Sequence, residues 1–343
     1  MRIAIDAMGG DRAPQEIVKG AVEAFRCWGE EVLLVGREEA IRAELAKHYA
    51  KGAKLSIANA SEVVALDEHP TQSVRQKPDS SIVVGMNLVK KGEASAFISA
   101  GNSGAVMAAA LFILGRIEGI ERPALSHFYS TRNHSVLLLD MGANADCKPS
   151  YLVQFAQMGS AYVERVLGLE HPRVGLLSNG GEENKGNQLV RESHKLLKET
   201  SGLNFIGNVE GNDIANGAAD VIVTDGFTGN VLLKTGEGLG EMVIKSLKGA
   251  SAKRPDLKIA TLLLGSALRH VLAGLDYAEH GGAPLLGVDG NVIKAHSRSD
   301  ARAIKNAISI ARQASERGAL EAMKSGIRER NNYAKNGEIG YAR

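Results

Sequence analysis

Arg2-Ile3-Ala4-Ile5-Asp6-Ala7-Met8-Gly9-Gly10-Asp11 opens the chain, and residues 14–25 behind it carry apolar side chains at helical spacing. A short apolar run, a turn of small residues and then a helical pattern together read as one βα unit. The same order recurs along the sequence. Strands are expected at 3–6, 32–35, 54–58, 96–99, 136–140, 174–177, 204–206 and 221–224, with helices at 14–25, 38–49, 81–90, 150–167, 186–200 and 230–247. Such alternation predicts an α/β fold with a mostly parallel sheet and helices on both faces. Right-handed crossovers then bring many strand C-terminal ends to one edge, where open α/β sheets bind ligands.

Composition agrees with that architecture and narrows the function. The 343 residues are 44% hydrophobic and only 4% aromatic, so the core must be built from Val, Ile, Leu and Ala. Those residues suit a sheet covered on both faces. A net charge of +2 without a basic stripe argues against nucleic acid as a partner. Cys27 and Cys147 lie far apart and form no C-x-x-C, so they read as reduced thiols rather than a disulfide or metal site. The opening strand leaves no room for a signal peptide, and no apolar run has the length of a membrane span. A cytoplasmic protein is expected. No repeat or low-complexity linker divides the chain; residues 1–325 read as one α/β unit and 326–343 as a polar C-terminal tail.

Six strand ends carry glycine, amide or hydroxyl residues. They are 6–11, Ser99-Ala100-Gly101-Asn102-Ser103-Gly104, Asp140-Met141-Gly142-Ala143-Asn144, Ser178-Asn179-Gly180-Gly181, Gly207-Asn208-Val209-Glu210-Gly211 and Thr224-Asp225-Gly226-Phe227-Thr228-Gly229-Asn230. Glycine lets backbone N–H groups approach a ligand, and a helix N-terminus adds donors suited to an anion. Any one such loop is also an ordinary βα turn. Six on one edge point to a phosphate-like anion bound beside a small substrate. Other signatures are absent: there is no G-x-x-x-x-G-K-[ST], no G-x-G-x-x-G after the first strand, no H-E-x-x-H and no metal-ligand spacing. Gly236-Glu237-Gly238-Leu239-Gly240 lies inside a helical stretch and is a weak dinucleotide signal. Ser103 lacks the G-x-S-x-G elbow and reads as a donor rather than a nucleophile.

These loops, with Gly119-Ile120-Glu121-Arg122-Pro123-Ala124-Leu125, residues 152–160, Phe205-Ile206-Gly207-Asn208-Val209-Glu210, Gly281-Gly282-Ala283 and Val292-Ile293-Lys294-Ala295-His296, resemble the bacterial phosphate acyltransferase family over residues 1–320. Members are acyl-ACP:phosphate transacylases of phospholipid synthesis. The resemblance implies attack of inorganic phosphate on a long-chain acyl thioester of acyl carrier protein, giving acyl-phosphate. It also implies a homodimer with a fold like isopropylmalate dehydrogenase and phosphotransacetylase, and no nucleotide, metal or other cofactor. By the same resemblance Lys185 is a catalytic cation that orients phosphate, and Asn230 is a catalytic amide donating to the thioester oxyanion. The position of Asn230 also suits a helix N-cap. Gly101, Asn102, Ser103 and Gly104 are candidate phosphate contacts, with Gly226, Thr228 and Gly229 completing the substrate site. Asp6, Asp11 and Asp225 would repel phosphate and are expected to organise loops or orient Lys185; His296 reads as a supporting imidazole. Arg12, Ser178 and Ser297 depart from the family pattern, where His, Asn and Gly are usual.

Between 250 and 280, Leu257, Ala260, Leu264, Leu268, Val271, Leu272 and Leu275 fall at helical spacing with basic neighbours. This resembles the region by which family members touch a membrane surface, from which the product would pass to a membrane glycerol-phosphate acyltransferase. A core or dimer-interface helix has the same pattern. Two rival enzymes also suit the fold: a transacylase using short acyl-CoA thioesters, and a metal- and NAD-dependent decarboxylating dehydrogenase whose carboxylate and arginine cluster is not found here.

Overall fold

The computed structural model describes residues 1–48, 54–131, 134–253 and 281–335. The 257–275 segment lies outside them. The strands are β1 (Arg2–Asp6), β2 (Glu31–Gly36), β3 (Leu55–Asn59), β4 (Ala96–Ser99), β5 (Ala124–Leu125), β6 (His127–Ser130), β7 (Ser135–Leu139), β8 (Arg173–Leu177), β9 (Asn204–Val209), β10 (Val221–Val223), β11 (Ala283–Leu286) and β12 (Asn291–Lys294). The helices are α1 (Gln15–Trp28), α2 (Glu38–Leu45), α3 (Pro70–Gln76), α4 (Ser81–Lys90), α5 (Ser103–Ala109), α6 (Pro149–Leu167), α7 (Gln188–Glu199), α8 (Gly211–Asn216), α9 (Gly226–Lys253), α10 (Ala301–Glu316) and α11 (Ala319–Lys335). A π-helical turn, Ala110–Leu114, prolongs α5.

The strands form two sheets, so the sequence-based expectation of one sheet edge needs correction. The first runs β3-β2-β1-β4-β12-β11-β5 and the second β6-β7-β10-β8-β9. Both are parallel except at β11, β5 and β6, which pair antiparallel with their neighbours. Side chains alternate across each strand. Ile3 and Ile5 of β1 therefore pack with Ile17 and Val18 of α1 and Ile304 and Ile308 of α10. Ala4, one residue out of phase, packs on the opposite face with Ile82, Met86 and Phe97. In the second sheet Leu137, Leu139, Val221 and Val223 meet Phe155, Met158 and Tyr162 of α6. Val136, Leu138 and Ile222 face the other way, toward Leu232 and Leu233 of α9. Each fully buried side chain of this size contributes ~2 kcal/mol.

Several elements were not expected. β5, β6, β11 and β12 are short and lie outside the βα alternation. Ser126, fully buried between β5 and β6, carries the chain from one sheet to the other; its N–H and Oγ both donate to the Pro284 carbonyl of β11, at 2.9 and 2.8 Å. Residues 326–335, expected in a polar tail, instead continue α11, which buries Met323 and Ile327 against α6. An apolar residue each turn anchors this otherwise polar helix.

Candidate active site

Where the two sheets approach, a cleft of ≈ 560 Å³ opens. Its first wall comes from the loop after β4 (Gly101, Asn102, Ser103, Gly104) and the end of β12 (Lys294, Ala295, His296, Ser297). The opposite wall comes from Met141 and Gly142 after β7 and from Asn230, Leu233, Lys234 and Glu237 of α9. Leu66, Leu125 and His127 also line it. The size and the mix of apolar wall with a few polar groups suit a small-molecule site.

Of the expected site residues, this cleft gathers Gly101, Asn102, Ser103, Gly104, Asn230 and His296. Lys185 does not line it. That residue is exposed on the loop after β8, with its N–H donating to the Glu182 carbonyl. The loops after β8 and β9 stand aside because those strands occupy the far edge of the second sheet. Gly226, Thr228 and Gly229 do not line it; the two glycines are buried behind the wall and Thr228 is exposed. Gly229 packs so tightly that a Cβ there would stand 2.0 Å from the Asp140 carbonyl oxygen, and one at Gly226 would stand 2.6 Å from that of Asn144. These two glycines let α9 abut the loop after β7.

The helix start also corrects the reading of Asn230. Because α9 begins at Gly226, the capping residue is Asp225, whose carboxylate accepts from Thr228 N–H at 2.9 Å and Thr228 Oγ1 at 2.7 Å. Asn230 is therefore an exposed residue within the helix, free of the capping role, and its side chain lies beside Gly142.

On the first wall, two of the four expected contacts are occupied by the protein itself. The Asn102 carboxamide caps α5 by accepting from Ala105 N–H, while its Nδ2 donates toward the Ala65, Leu66 and Glu68 carbonyls. The Gly101 N–H donates to Ser99 Oγ at 3.0 Å. Gly104 packs on Pro70 of α3, where a Cβ would stand 2.4 Å from the proline Cγ. Ser103, exposed at the mouth, is the hydroxyl this loop presents to the cleft.

Sequence reading gave no role to Lys294 or Asp140. Asp6, Ser99 and Lys294 stand side by side at the ends of β1, β4 and β12, fixed by the pairings Ile5–Ile98 and Ser99–Lys294. Asp6 is fully buried; its carboxylate accepts from Ser99 Oγ at 2.7 Å and Met8 N–H at 3.0 Å. Burial nonetheless raises its pKa above the ordinary carboxylate value, against the pull of these hydrogen bonds. Lys294 is buried on the cleft wall, with Nζ donating to the Ala295 carbonyl. Burial pushes its ammonium down to about 8, which Asp6 opposes and Lys234 reinforces. Asp140 accepts from Leu125 N–H, Ala143 N–H and both nitrogens of Asn144, at 2.7 to 3.1 Å, so it knits β5 to the loop beneath Asn230.

His296 Nδ1 accepts from Arg298 N–H at 3.1 Å, and burial lowers the pKa of its ring. Ser297 ties two loops together: its Oγ donates to Asp11 at 3.1 Å and its carbonyl accepts from Asp11 N–H at 2.8 Å. Asp11 and Asp225 thus serve loop structure, and neither their hydrogen bonds nor those of Asp6 run to Lys185. Among the described residues no His, Cys, Asp and Glu side chains group as a metal site.

Fold and cleft define the class: an α/β protein of phosphotransacetylase-like architecture. A phosphotransacetylase from Streptococcus pyogenes superposes with a TM-score of 0.62 at 18% identity, covering 92% of this chain and 94% of that one. A 4-hydroxythreonine-4-phosphate dehydrogenase from Salmonella typhimurium gives 0.56 at 11% identity over 91% and 98%. These likenesses establish the fold. Sequence identifies the family. The family described as fatty acid synthesis protein matches residues 1–322. A phosphate acyltransferase of Herpetosiphon aurantiacus is 50% identical over 92% of this chain and 95% of that protein, and one of Pelotomaculum thermopropionicum is 51% identical over 95% of each. The chain belongs to the phosphate acyltransferase family.

Proposed function

We propose that this protein transfers a long-chain fatty acyl group from the thioester of acyl carrier protein to inorganic phosphate, forming acyl-phosphate for phospholipid synthesis. The observation that carries the reading is the opposition, across one cleft, of Ser103 beside the glycine loop and the Asn230 amide. The Leu66, Leu125, Met141 and Leu233 side chains give the cleft the apolar lining an acyl chain needs.

The reaction asks little acid–base chemistry of the protein. Phosphate is already an anionic nucleophile at neutral pH, and a thiol with a pKa of ~8.5 leaves readily. Positioning the two reactants and stabilising the oxyanion remain, and both are large effects. In this reading Asn230 donates to the thioester oxyanion. Lys185, exposed on the loop after β8 and outside the cleft, takes the role of a charge-offsetting cation from the family resemblance alone. Asn230→Ala and Lys185→Ala should each lower turnover by ~100-fold while the fold survives, as when an oxyanion donor is lost. Normal turnover in either folded variant removes that residue from the site.

The deciding assay supplies acyl carrier protein thioester and phosphate, traps acyl-phosphate with hydroxylamine, and repeats the measurement with acetyl-CoA. Product from acetyl-CoA alone would favour a short-chain transacylase, in keeping with the phosphotransacetylase among the structural neighbours. We also place the protein in the cytoplasm as a homodimer. Leu239, Met242 and Val243, exposed on adjacent turns of α9, offer apolar surface for a second copy. No helix among the described residues is long and apolar enough to cross a membrane. Contact through 257–275 would instead be peripheral, delivering product to a membrane glycerol-phosphate acyltransferase. Flotation with anionic liposomes tests it: recovery only in the soluble fraction rejects the contact.

A further inference from the structure

Resting on the phosphate-transfer reading, we propose that Lys294 is a catalytic residue whose ammonium holds the attacking phosphate. Lys294 is buried, lines the cleft, and ends β12 directly beside β4, whose following loop presents Ser103. Asn230 faces it from the other half of the molecule. Phosphate held between Lys294 and Ser103 would thus meet a thioester carbonyl polarised by Asn230.

The local bonding favours a ligand. An ammonium carries three donors, and the Ala295 carbonyl takes one. The buried carboxylate of Asp6 attracts the ammonium, yet its roughly four acceptor sites are already engaged by Ser81, Ser99 and the backbone of Met8 and Gly9. A buried cation is costly unless well paired, and phosphate would supply the missing acceptors. Lys185 cannot fill this place without loop movement, whereas Lys294 is there in the described arrangement.

In the step itself, one oxygen of HPO₄²⁻ forms a bond to the thioester carbon and the carbon–sulfur bond breaks. The sulfur leaves with the bonding pair and takes up the phosphate proton, giving acyl-phosphate dianion and free thiol. Lys294 remains charged throughout and acts by electrostatics.

The Lys294 ammonium, depressed to about 8, also sets a pH limit. The charged and titratable groups around it are Asp6 from β1, Lys234 and Glu237 from α9, His127 from β6 and His296 beyond β12. Phosphate capture should weaken as pH rises through about 8. Lys294→Arg changes none of the surrounding groups and stays charged, so it isolates the effect.

The test uses the full chain, acyl carrier protein thioester and inorganic phosphate. Absence of phosphate-dependent product with the wild type refutes the underlying reading before Lys294 is in question. Given activity, Lys294→Met should raise KM for phosphate by ~10- to 100-fold, the effect of losing a charge-assisted hydrogen bond, with KM for the acyl donor unchanged. Lys294→Arg should restore part of the phosphate affinity and keep kcat/KM for phosphate level above about pH 8, where the wild type declines. A folded Lys294→Met protein with unchanged KM for phosphate overturns the proposal, as does a fall in kcat alone. Should that variant fail to fold, a wild-type profile without an alkaline decline, or one shared by Lys294→Arg, overturns it equally.

Discussion

Burial lowers the Lys294 ammonium from 10.5 to about 8, and the sign of its effect on folding follows directly. Between those values the unfolded chain holds the proton and the folded chain has released it, so stability rises with pH across that window. Below about 8 both states are charged and the full cost of burial, ~3 kcal/mol by linkage, is present. Urea unfolding of wild type and Lys294→Met from pH 7.5 to 10.5 checks this: the wild type should gain stability relative to the variant as pH rises. Parallel curves would show that the ammonium is not buried as described. The same residue shows where sequence reading stops. Asn230 could be recognised because its motif is local, from Asp225 to Asn230. Lys294 could not, because its meaning depends on Asp6 at the other end of the chain, brought alongside only by the order β1-β4-β12. A lysine closing the four-residue strand Asn291–Lys294, after only two apolar residues, otherwise looks like a solvated strand end.

Element positions were legible wherever a strand, loop and helix followed one another. The expected spans 96–99 and 81–90 coincide with β4 and α4, and most other expected strands and helices shift only at their ends. β11 and β12 escaped notice because each is four residues long, and they join as an antiparallel pair outside the βα rhythm. The start of α9 was obscured by Gly226 and Gly229, which usually signal a turn; here close approach to the Asp140 loop requires them. Two alanine substitutions in this one helix should therefore diverge. Gly229→Ala places a Cβ 2.0 Å from a backbone carbonyl, so α9 must shift, at a cost of ~1–3 kcal/mol or more. Gly236→Ala meets nothing within 4 Å and should stabilise the helix by up to ~1 kcal/mol. Denaturant midpoints of the two variants measure the contrast; equal midpoints would mean that α9 does not abut the loop. Displacement of Asn230 should also cost the Gly229 variant its activity.

Across the whole molecule, the cleft exists only because two sheets share one chain that crosses between them at Ser126, is back in the first sheet at β11 and β12, and ends with α11 on the second half. The sequence rhythm announced βα units but could not say that they divide between two sheets, since strand order is set by long-range pairing. α11 packs Met323 and Ile327 onto α6 and so helps close the second half. Deleting residues 319–343 should expose that apolar surface, lower the melting temperature and promote aggregation. Thermal scanning and light scattering would detect both, and an unchanged melting temperature would show that α11 is dispensable.

The place of β12, between β4 and β11, has a consequence for how the protein is made. During synthesis the ribosome releases β1 to β4 long before residues 291–294 emerge, so β4, interior in the finished sheet, begins as an unpaired edge. Lys294 and its neighbours are the last part of the cleft to arrive. A nascent chain can therefore complete the second sheet while the first still lacks a wall, and competence for ligand comes only once residues 291–297 have emerged. Until then β4 offers its free edge to any strand nearby, which makes chaperone protection of the unfinished chain most valuable at that stage.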